Sequence, residues 1–104
     1  MTDFPSIPGY RIERLLGQGG MARVYLALDE KLERHVAVKV LLPYLSEDDN
    51  VTRRFIREAK TAANLRHSNI VSIHDVGQLG NLYYFSMERL EESLSDRIKL
   101  VRIN

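Results

Sequence analysis

Three short runs of the chain have the residue pattern of β-strands. Apolar and polar residues alternate at 10–16, the run 23–29 is again strand-like, and the run 36–41 is rich in valine. Because successive side chains of a strand point to opposite faces of a sheet, this pattern predicts three strands. The cluster Gly17-Gln18-Gly19-Gly20 separates the first two runs and favours a hairpin, and Pro43 bounds the third run.

The spacing of apolar residues changes after the third run. Four apolar residues lie at i, i+4, i+11 and i+14, namely Val51, Phe55, Ala62 and Leu65. This spacing places them on one face of an amphipathic helix. The preceding segment, 46–49, supplies capping side chains and acidic charge for the start of the helix, which is predicted to end near residues 66–69.

Further strands and a second helix are predicted in the last third of the chain. The strands are Ile70 to Val76 and Leu82 to Met87, linked through Gly77 and the turn at 80–81. A capping-box pattern at 93–96 then opens a short helix whose apolar face carries Leu94, Ile98 and Val101. The predicted order is three strands, a helix, two strands and the start of a second helix.

Composition narrows the class of protein. The 104 residues fit one small domain, and a hydrophobic content of 44% supports a core. With 15 basic and 14 acidic residues, the chain has no long-range field that would attract nucleic acid or an anionic membrane. The chain has no cysteine, no run near the ~18 apolar residues of a membrane span, and no signal-peptide pattern at its start. We therefore expect a cytoplasmic protein with no membrane segment and no nucleic-acid partner.

Two residue groups invite a functional interpretation that their spacing does not support. His35, His67 and His74 lack the spacing of metal ligands, so no metal site is predicted. The aromatic run 83–85 places consecutive rings on both faces of one strand without a basic groove, which favours core packing over stacking on bases.

The glycine cluster fits a known ligand-binding pattern, G-x-G-x-x-G/A, through Gly17, Gly19 and Ala22. Alone, the pattern is compatible with a plain turn, a dinucleotide-binding turn or a kinase phosphate loop. Glycines remove side chains and let backbone N–H groups approach phosphate oxygens. A dinucleotide turn needs a helix to open at the glycines, whereas a strand pattern follows here, which favours a strand–loop–strand unit.

A lysine and a glutamate occupy positions where a charge is costly. Lys39 lies in the otherwise apolar third strand, and Glu58 occupies the i+7 position of the apolar helix stripe that begins at Val51. Each side chain either reaches solvent or finds an opposite charge, because burying an unpaired charge is unfavourable. We hypothesise that Lys39 and Glu58 form an ion pair.

These motifs together resemble those of protein kinases. The run from Gly17 to Val24 resembles G-x-G-x-x-G-x-V, with Ala22 in place of the third glycine, and 36–39 resembles V-A-I-K. The run 65–71 is similar to the H-P-N-I-V turn of the family, with Ser68 in place of proline. The Gly-Gly-Met-Ala variant of the loop is similar to eukaryotic-like serine/threonine kinases of bacteria.

The resemblance implies an α+β fold: the N-terminal lobe of a protein kinase, with a five-stranded antiparallel sheet, one main helix and the start of a second helix. It implies ATP as the ligand, held with Mg²⁺ whose protein ligands lie outside this chain. Lys39 would hold the α- and β-phosphates and Glu58 would orient it. The remaining implied nucleotide contacts are Leu16, Gly17, Gln18, Gly19, Gly20, Met21, Ala22, Val24, Ala37, Met87, Glu88 and Leu90. Among these, Val24 and Ala37 would face adenine, Met87 would be the gatekeeper, and Glu88 to Leu90 would form the hinge.

The same resemblance predicts how the chain is divided into segments and which catalytic groups it lacks. Residues 1–9 would be an N-terminal arm, 10–90 the ATP-gripping lobe, and 91–104 the hinge exit with the truncated first helix of a larger lobe. No His-Arg-Asp catalytic run is present, and Asp75-Val76-Gly77 only mimics a metal-binding motif because no catalytic loop precedes it. We therefore expect that the chain alone transfers no phosphate and that a C-terminal lobe or another partner covers it, with an unknown protein substrate.

Two alternatives remain open at this stage. One is a non-catalytic, kinase-like module that regulates a partner protein. The other is a dinucleotide-binding protein, which the strand after the glycine loop disfavours.

Overall fold

The architecture was determined from a computed structural model, which describes residues 4–64 and 73–88, with backbone alone for 62–64. The helices and strands, in chain order, are β1 Tyr10–Gln18, β2 Ala22–Asp29, β3 Arg34–Leu41, a 3₁₀ turn Pro43–Leu45, α1 Asp49–Asn64, β4 Ile73–Leu79 and β5 Leu82–Glu88. The strands form one antiparallel sheet in the order β1-β2-β3-β5-β4. The predicted α+β class, with five strands and one main helix, is confirmed.

The two faces of the sheet carry separate apolar clusters. The helix face, against which α1 packs, contains buried residues of β2, β3, α1 and β5: Ala22, Val24, Ala37, Leu41, Phe55, Ala59, Phe85 and Met87. The outer face contains Ile7, Tyr25, Ala27, Val36, Val38 and Val40. Strand alternation explains the division, since neighbouring residues of β3 belong to opposite clusters.

The N-terminal arm is part of the packed structure on the outer face. Ile7 is buried, and the Phe4 ring meets the Tyr25 ring edge-on with centroids 5.7 Å apart. A tight turn follows, in which the Tyr10 amide donates to the Ile7 carbonyl at 3.0 Å and Gly9 has φ 90°. Glycine suits this left-handed position because it has no Cβ.

Helix α1 begins where the sequence predicts it. The Asp48 carboxylate accepts hydrogen bonds from the amides of Asn50, at 2.9 Å, and Val51, at 3.3 Å. These bonds satisfy backbone donors that the first turn of a helix leaves without partners. The helix then packs on the sheet through Phe55 and Ala59, whereas the predicted end at 66–69 lies outside the described residues.

The β4–β5 hairpin differs from its prediction in where β4 ends. We predicted β4 at 70–76 with Gly77 as part of the connection, but β4 is Ile73–Leu79 and Gly77 pairs with Tyr84. The connection needs only two residues because Gly80, at φ 61°, takes the first position of a tight hairpin turn. Residues 70–72 and the predicted second helix at 93–101 lie outside the described residues.

No helix in the described ranges is long and apolar enough to cross a membrane.

Candidate nucleotide-binding site

The centre of the candidate site is a buried lysine held by a helix carboxylate. Lys39 is 2% exposed and lies on β3 between Val24 of β2 and Phe85 of β5. Its Nζ donates to Oε1 of Glu58 on α1 at 2.5 Å, so the pair that we hypothesised is present. The Lys39 Nζ also lies 5.5 Å from the centroid of the Phe85 ring, within the range of a cation–π contact.

Burial and pairing act on the lysine in opposite directions. Desolvation lowers the pKa of Lys39 below its ordinary value, while the hydrogen bond and the charge of Glu58 raise it. The carboxylate therefore stabilises the ammonium form in a place where apolar neighbours disfavour it. The Glu58 side chain is 21% exposed, against 3% for that of Lys39, so the pair is open to solvent on the side of the helix.

The helix holds Glu58 in place through its apolar neighbours. Phe55 and Ala59 flank Glu58 in sequence and are buried against the sheet. The Phe55 ring lies 5.2 Å from the Phe85 ring, centroid to centroid. The same β5 residue thus contacts both the helix that carries Glu58 and the ammonium of Lys39, which fixes the separation of the pair.

The glycine-rich loop connects β1 to β2 at the same end of the sheet. Gly17 pairs with Val24, and the Gly19 amide donates to the Ala22 carbonyl at 2.9 Å to close the loop. A Cβ on Gly20 would meet nothing within 4 Å, so its backbone is open to an approaching group. Across the described ranges, no hydrogen bond is donated by the amides of Gly20 and Met21.

The residue that replaces the third glycine is part of the core. Ala22 is the first residue of β2, pairs with Leu41 and has no exposed surface. Its methyl group packs in the cluster of the helix face, so it stabilises the base of the loop. A side-chain hydrogen bond also joins the two strands that flank the loop, because Gln18 Oε1 accepts from Arg23 Nε at 3.1 Å.

The predicted adenine contacts form one patch of that core. Val24, Ala37 and Met87 are fully buried, and Ala37 pairs directly with Met87. Leu16 and Met21, which are partly buried, pack against the same cluster. Core packing of these side chains is established, and their contact with adenine stays a prediction.

Of the remaining predicted residues, Glu88 lies at the end of β5. Glu88 pairs with Val36 as the last residue of the strand, and Leu90 lies outside the described residues. Sequence reasoning assigned Phe85 only to the core, although it lies beneath Lys39. The signal was available in the strand period, because Phe85 and Met87 share one face of β5.

The Asp75 carboxylate bonds away from the Lys39–Glu58 pair. Asp75 lies in β4 and accepts a hydrogen bond from the Tyr10 hydroxyl, at 3.3 Å. Within 4–64 and 73–88, no group of three or more histidine, cysteine or acidic residues could hold a metal ion.

Comparison with known proteins identifies the family. The family model for the protein kinase domain matches residues 10–103. The chain belongs to the protein kinase family. Within it, the chain is 50% identical over 82 residues to the serine/threonine-protein kinase PrkC of Bacillus subtilis, covering 79% of this chain and 13% of PrkC. It is also 50% identical over 80 residues to the serine/threonine-protein kinase PknJ of Mycobacterium tuberculosis, covering 77% of this chain and 14% of PknJ.

Solved kinase structures agree with the fold. The crystal structure of the Mycobacterium tuberculosis PknI kinase domain matches with a TM-score of 0.67 and 33% identity, covering 86% of this chain and 36% of that chain. This kinase chain therefore corresponds to the N-lobe portion of the domain and spans a small part of the length of its relatives. The loop that continues into β2, where a dinucleotide-binding turn would open a helix, agrees with this assignment.

Proposed function

We propose that this kinase lobe binds ATP for a serine/threonine protein kinase, and that the Lys39–Glu58 pair is the phosphate-holding element. One observation carries the proposal. A fully buried strand lysine is oriented by a helix carboxylate beside a glycine loop whose tip amides have no partner in the described residues. A buried ion pair often fails to repay its desolvation cost, so stability alone does not account for this pair.

Each part of the site has a proposed role toward the nucleotide. The ammonium of Lys39 faces the α- and β-phosphates, and Glu58 keeps it charged and oriented. The amides of Gly20 and Met21 donate to phosphate oxygens, since a loop of successive N–H groups attracts anions. Val24, with its neighbours on the helix face, packs against the adenine ring.

The rest of the reaction is assigned to groups beyond the residues described. ATP supplies the phosphoryl group, and Mg²⁺ would neutralise its charge. The chain's own contribution is to bind and orient the phosphates. We propose that a second lobe or another covering partner provides the catalytic base, the metal ligands and the platform for the protein substrate.

Titration of the chain with ATP tests the proposal. Isothermal calorimetry of wild type, Lys39→Met and Lys60→Met compares the buried lysine with an exposed lysine of α1 under the same substitution. We expect ATP binding to fall by about tenfold or more in Lys39→Met, as for loss of a charge-assisted contact, and to persist in Lys60→Met. Equal affinity of all three chains for ATP, or binding of NAD in preference to ATP, would contradict the proposal.

A non-catalytic module that only resembles a kinase is the alternative. Such a module would have no use for nucleotide, so wild-type chain that binds no ATP supports it. Within a full-length kinase, Lys39→Met that leaves phosphorylation intact would instead contradict the role proposed for Lys39.

A further inference from the structure

The outer face of the sheet carries a hydrogen-bonded group that the nucleotide site does not use. The Tyr10 hydroxyl lies 3.0 Å from Ser86 Oγ and donates to Asp75 Oδ2 at 3.3 Å. A tyrosine hydroxyl has one proton, so while it donates to Asp75 it accepts from Ser86. We call Tyr10, Ser86 and Asp75 the tyrosine latch.

The latch joins parts of the sheet that do not pair with each other. Tyr10 is the first residue of β1, at one edge, and β2 and β3 separate that strand from β5. Its ring packs against the outer cluster and meets the Tyr84 ring edge-on, with centroids 6.3 Å apart. The sheet is therefore curled enough for the start of β1 to reach across the outer face.

The latch lies next to a β-bulge that interrupts the hydrogen-bond ladder between β4 and β5. Ile73 pairs with Met87 and Asp75 pairs with Ser86, so His74 is an extra residue on β4. A β-bulge of this kind leaves a residue unpaired and disrupts the ladder locally. Asp75 and Ser86, the pair on one side of the bulge, are the two residues that Tyr10 binds.

The latched residue of β5 lies between two residues of the candidate site. Ser86 is 1% exposed and points to the outer face, whereas Phe85 and Met87 belong to the cluster of the helix face. Phe85 lies beneath Lys39, and Met87 pairs with Ala37. Because side chains alternate along a strand, a bond that holds Ser86 also sets where its two neighbours lie on the opposite face.

Burial and the nearby carboxylate of Asp75 raise the pKa of Tyr10, so the hydroxyl keeps its proton at neutral pH. The Tyr10 hydroxyl is therefore a neutral donor and acceptor within the latch at neutral pH.

We propose that Tyr10 is a positioning residue for the purine end of the nucleotide site. It acts through Ser86 and Asp75 to hold the end of β5, and hence Met87, in the arrangement that adenine requires. The inference rests on the proposed ATP-binding function and adds a residue outside the kinase motifs. It concerns Met87 and the adenine contacts, because the Phe85 ring beneath Lys39 has a separate anchor in the Phe55 ring of α1.

The test compares a ligand that has a purine with one that has only phosphates. Calorimetry gives the Kd of ATP and of inorganic tripolyphosphate for wild type, Tyr10→Phe, Asp75→Asn and Tyr44→Phe. The first variant removes only the latch hydroxyl, the second keeps an acceptor oxygen, and the third removes a hydroxyl from a tyrosine that is 73% exposed. Since one net hydrogen bond corresponds to a few-fold change, we expect Tyr10→Phe to weaken ATP binding about threefold to tenfold and tripolyphosphate binding by less than about twofold.

Tyr44→Phe is the control and should match wild type in both affinities, while Asp75→Asn, which keeps an acceptor for the Tyr10 hydroxyl, should weaken ATP binding less than Tyr10→Phe does. Amide hydrogen exchange provides a second readout, with faster exchange at residues 86–88 in Tyr10→Phe. The latch proposal is overturned if Tyr10→Phe leaves the ratio of the two Kd values unchanged, whether neither affinity falls or both fall equally, or if exchange at 86–88 is unchanged. In each of these cases, ATP binding by wild type still upholds the proposed function. Wild-type chain that binds neither ligand overturns the proposed function, and with it the role of Tyr10 toward adenine.

Discussion

Phe55 and Phe85 meet with ring centroids 5.2 Å apart and join α1 to the strand that lies beneath Lys39. Both rings are almost fully buried. The contact sets the distance between the helix and the sheet, and the Lys39–Glu58 pair spans that distance. Packing in the core and geometry in the site are therefore coupled through one aromatic pair.

Removal of the Phe55 ring should destabilise the chain strongly. A buried Phe→Ala substitution costs about 3–5 kcal/mol through lost transfer energy and the cavity that remains. Because this is a large share of the stability of a small domain, Phe55→Leu serves as the milder variant, with a smaller loss. Urea unfolding measures both. Leu32→Ala, at a side chain that is 59% exposed, should change stability by less than about 0.5 kcal/mol. A loss in Leu32→Ala as large as that in Phe55→Ala would contradict the assignment of Phe55 to the core.

The fold and the Lys39–Glu58 pair were predictable from sequence because both depend on the periodic spacing of apolar residues along strands and helices. Strand alternation placed Lys39 among apolar neighbours, and helical spacing placed Glu58 on the apolar stripe. Together they left few ways to satisfy two costly charges. Their pairing follows from local pattern and the cost of desolvation.

The features that sequence reasoning missed depend on contacts between distant strands. The end of β4 was predicted too early because Gly77 resembles a turn residue, whereas the Tyr84 ring covers Gly77 within the sheet. The latch joins Tyr10 to Ser86 over 76 positions, and no periodicity reports such a contact. For the adenine contacts, only burial could be predicted. The sequence indicates that Val24 is buried, but a residue that packs in the core and one that contacts a ligand have the same pattern of apolar positions.

Gly77→Ala should destabilise the β4–β5 hairpin. An added Cβ would overlap the ring of Tyr84, and strain of this kind in a packed site costs about 1–3 kcal/mol. Gly20→Ala is the matched control because its Cβ would meet nothing within 4 Å and its φ is not positive. In a Tyr84→Ala background the cost of Gly77→Ala should largely disappear, and a double-mutant cycle from urea unfolding measures this. A cost that persists without the ring would exclude the overlap as its cause.

The pKa of Lys39 should lie below 10.5 in the folded chain and fall further in Glu58→Gln. Burial lowers this pKa, and the substitution removes the charge that opposes the decrease. Between the folded-state pKa and 10.5 the unfolded chain binds more protons, so the contribution of Lys39 to stability increases with pH in that window. An NMR titration of the Lys39 side chain measures the pKa. Glu47→Gln, at an exposed carboxylate before the helix, should leave it unchanged, and a higher pKa in Glu58→Gln would contradict the pairing.

Asp48→Ala should shorten or loosen the first turn of α1 and reduce stability by about 1 kcal/mol, the usual cost of losing an N-cap side chain. The carboxylate accepts from two amides of that turn, and a negative charge there also favours the positive end of the helix dipole. Asp48→Asn keeps an acceptor oxygen without the charge, so it should retain most of the stability. Urea unfolding measures the loss, and amide exchange at Asn50 and Val51 locates it. If Asp48→Asn and Asp48→Ala lost equal stability, the charge and not the hydrogen bonds would be the source of the capping effect.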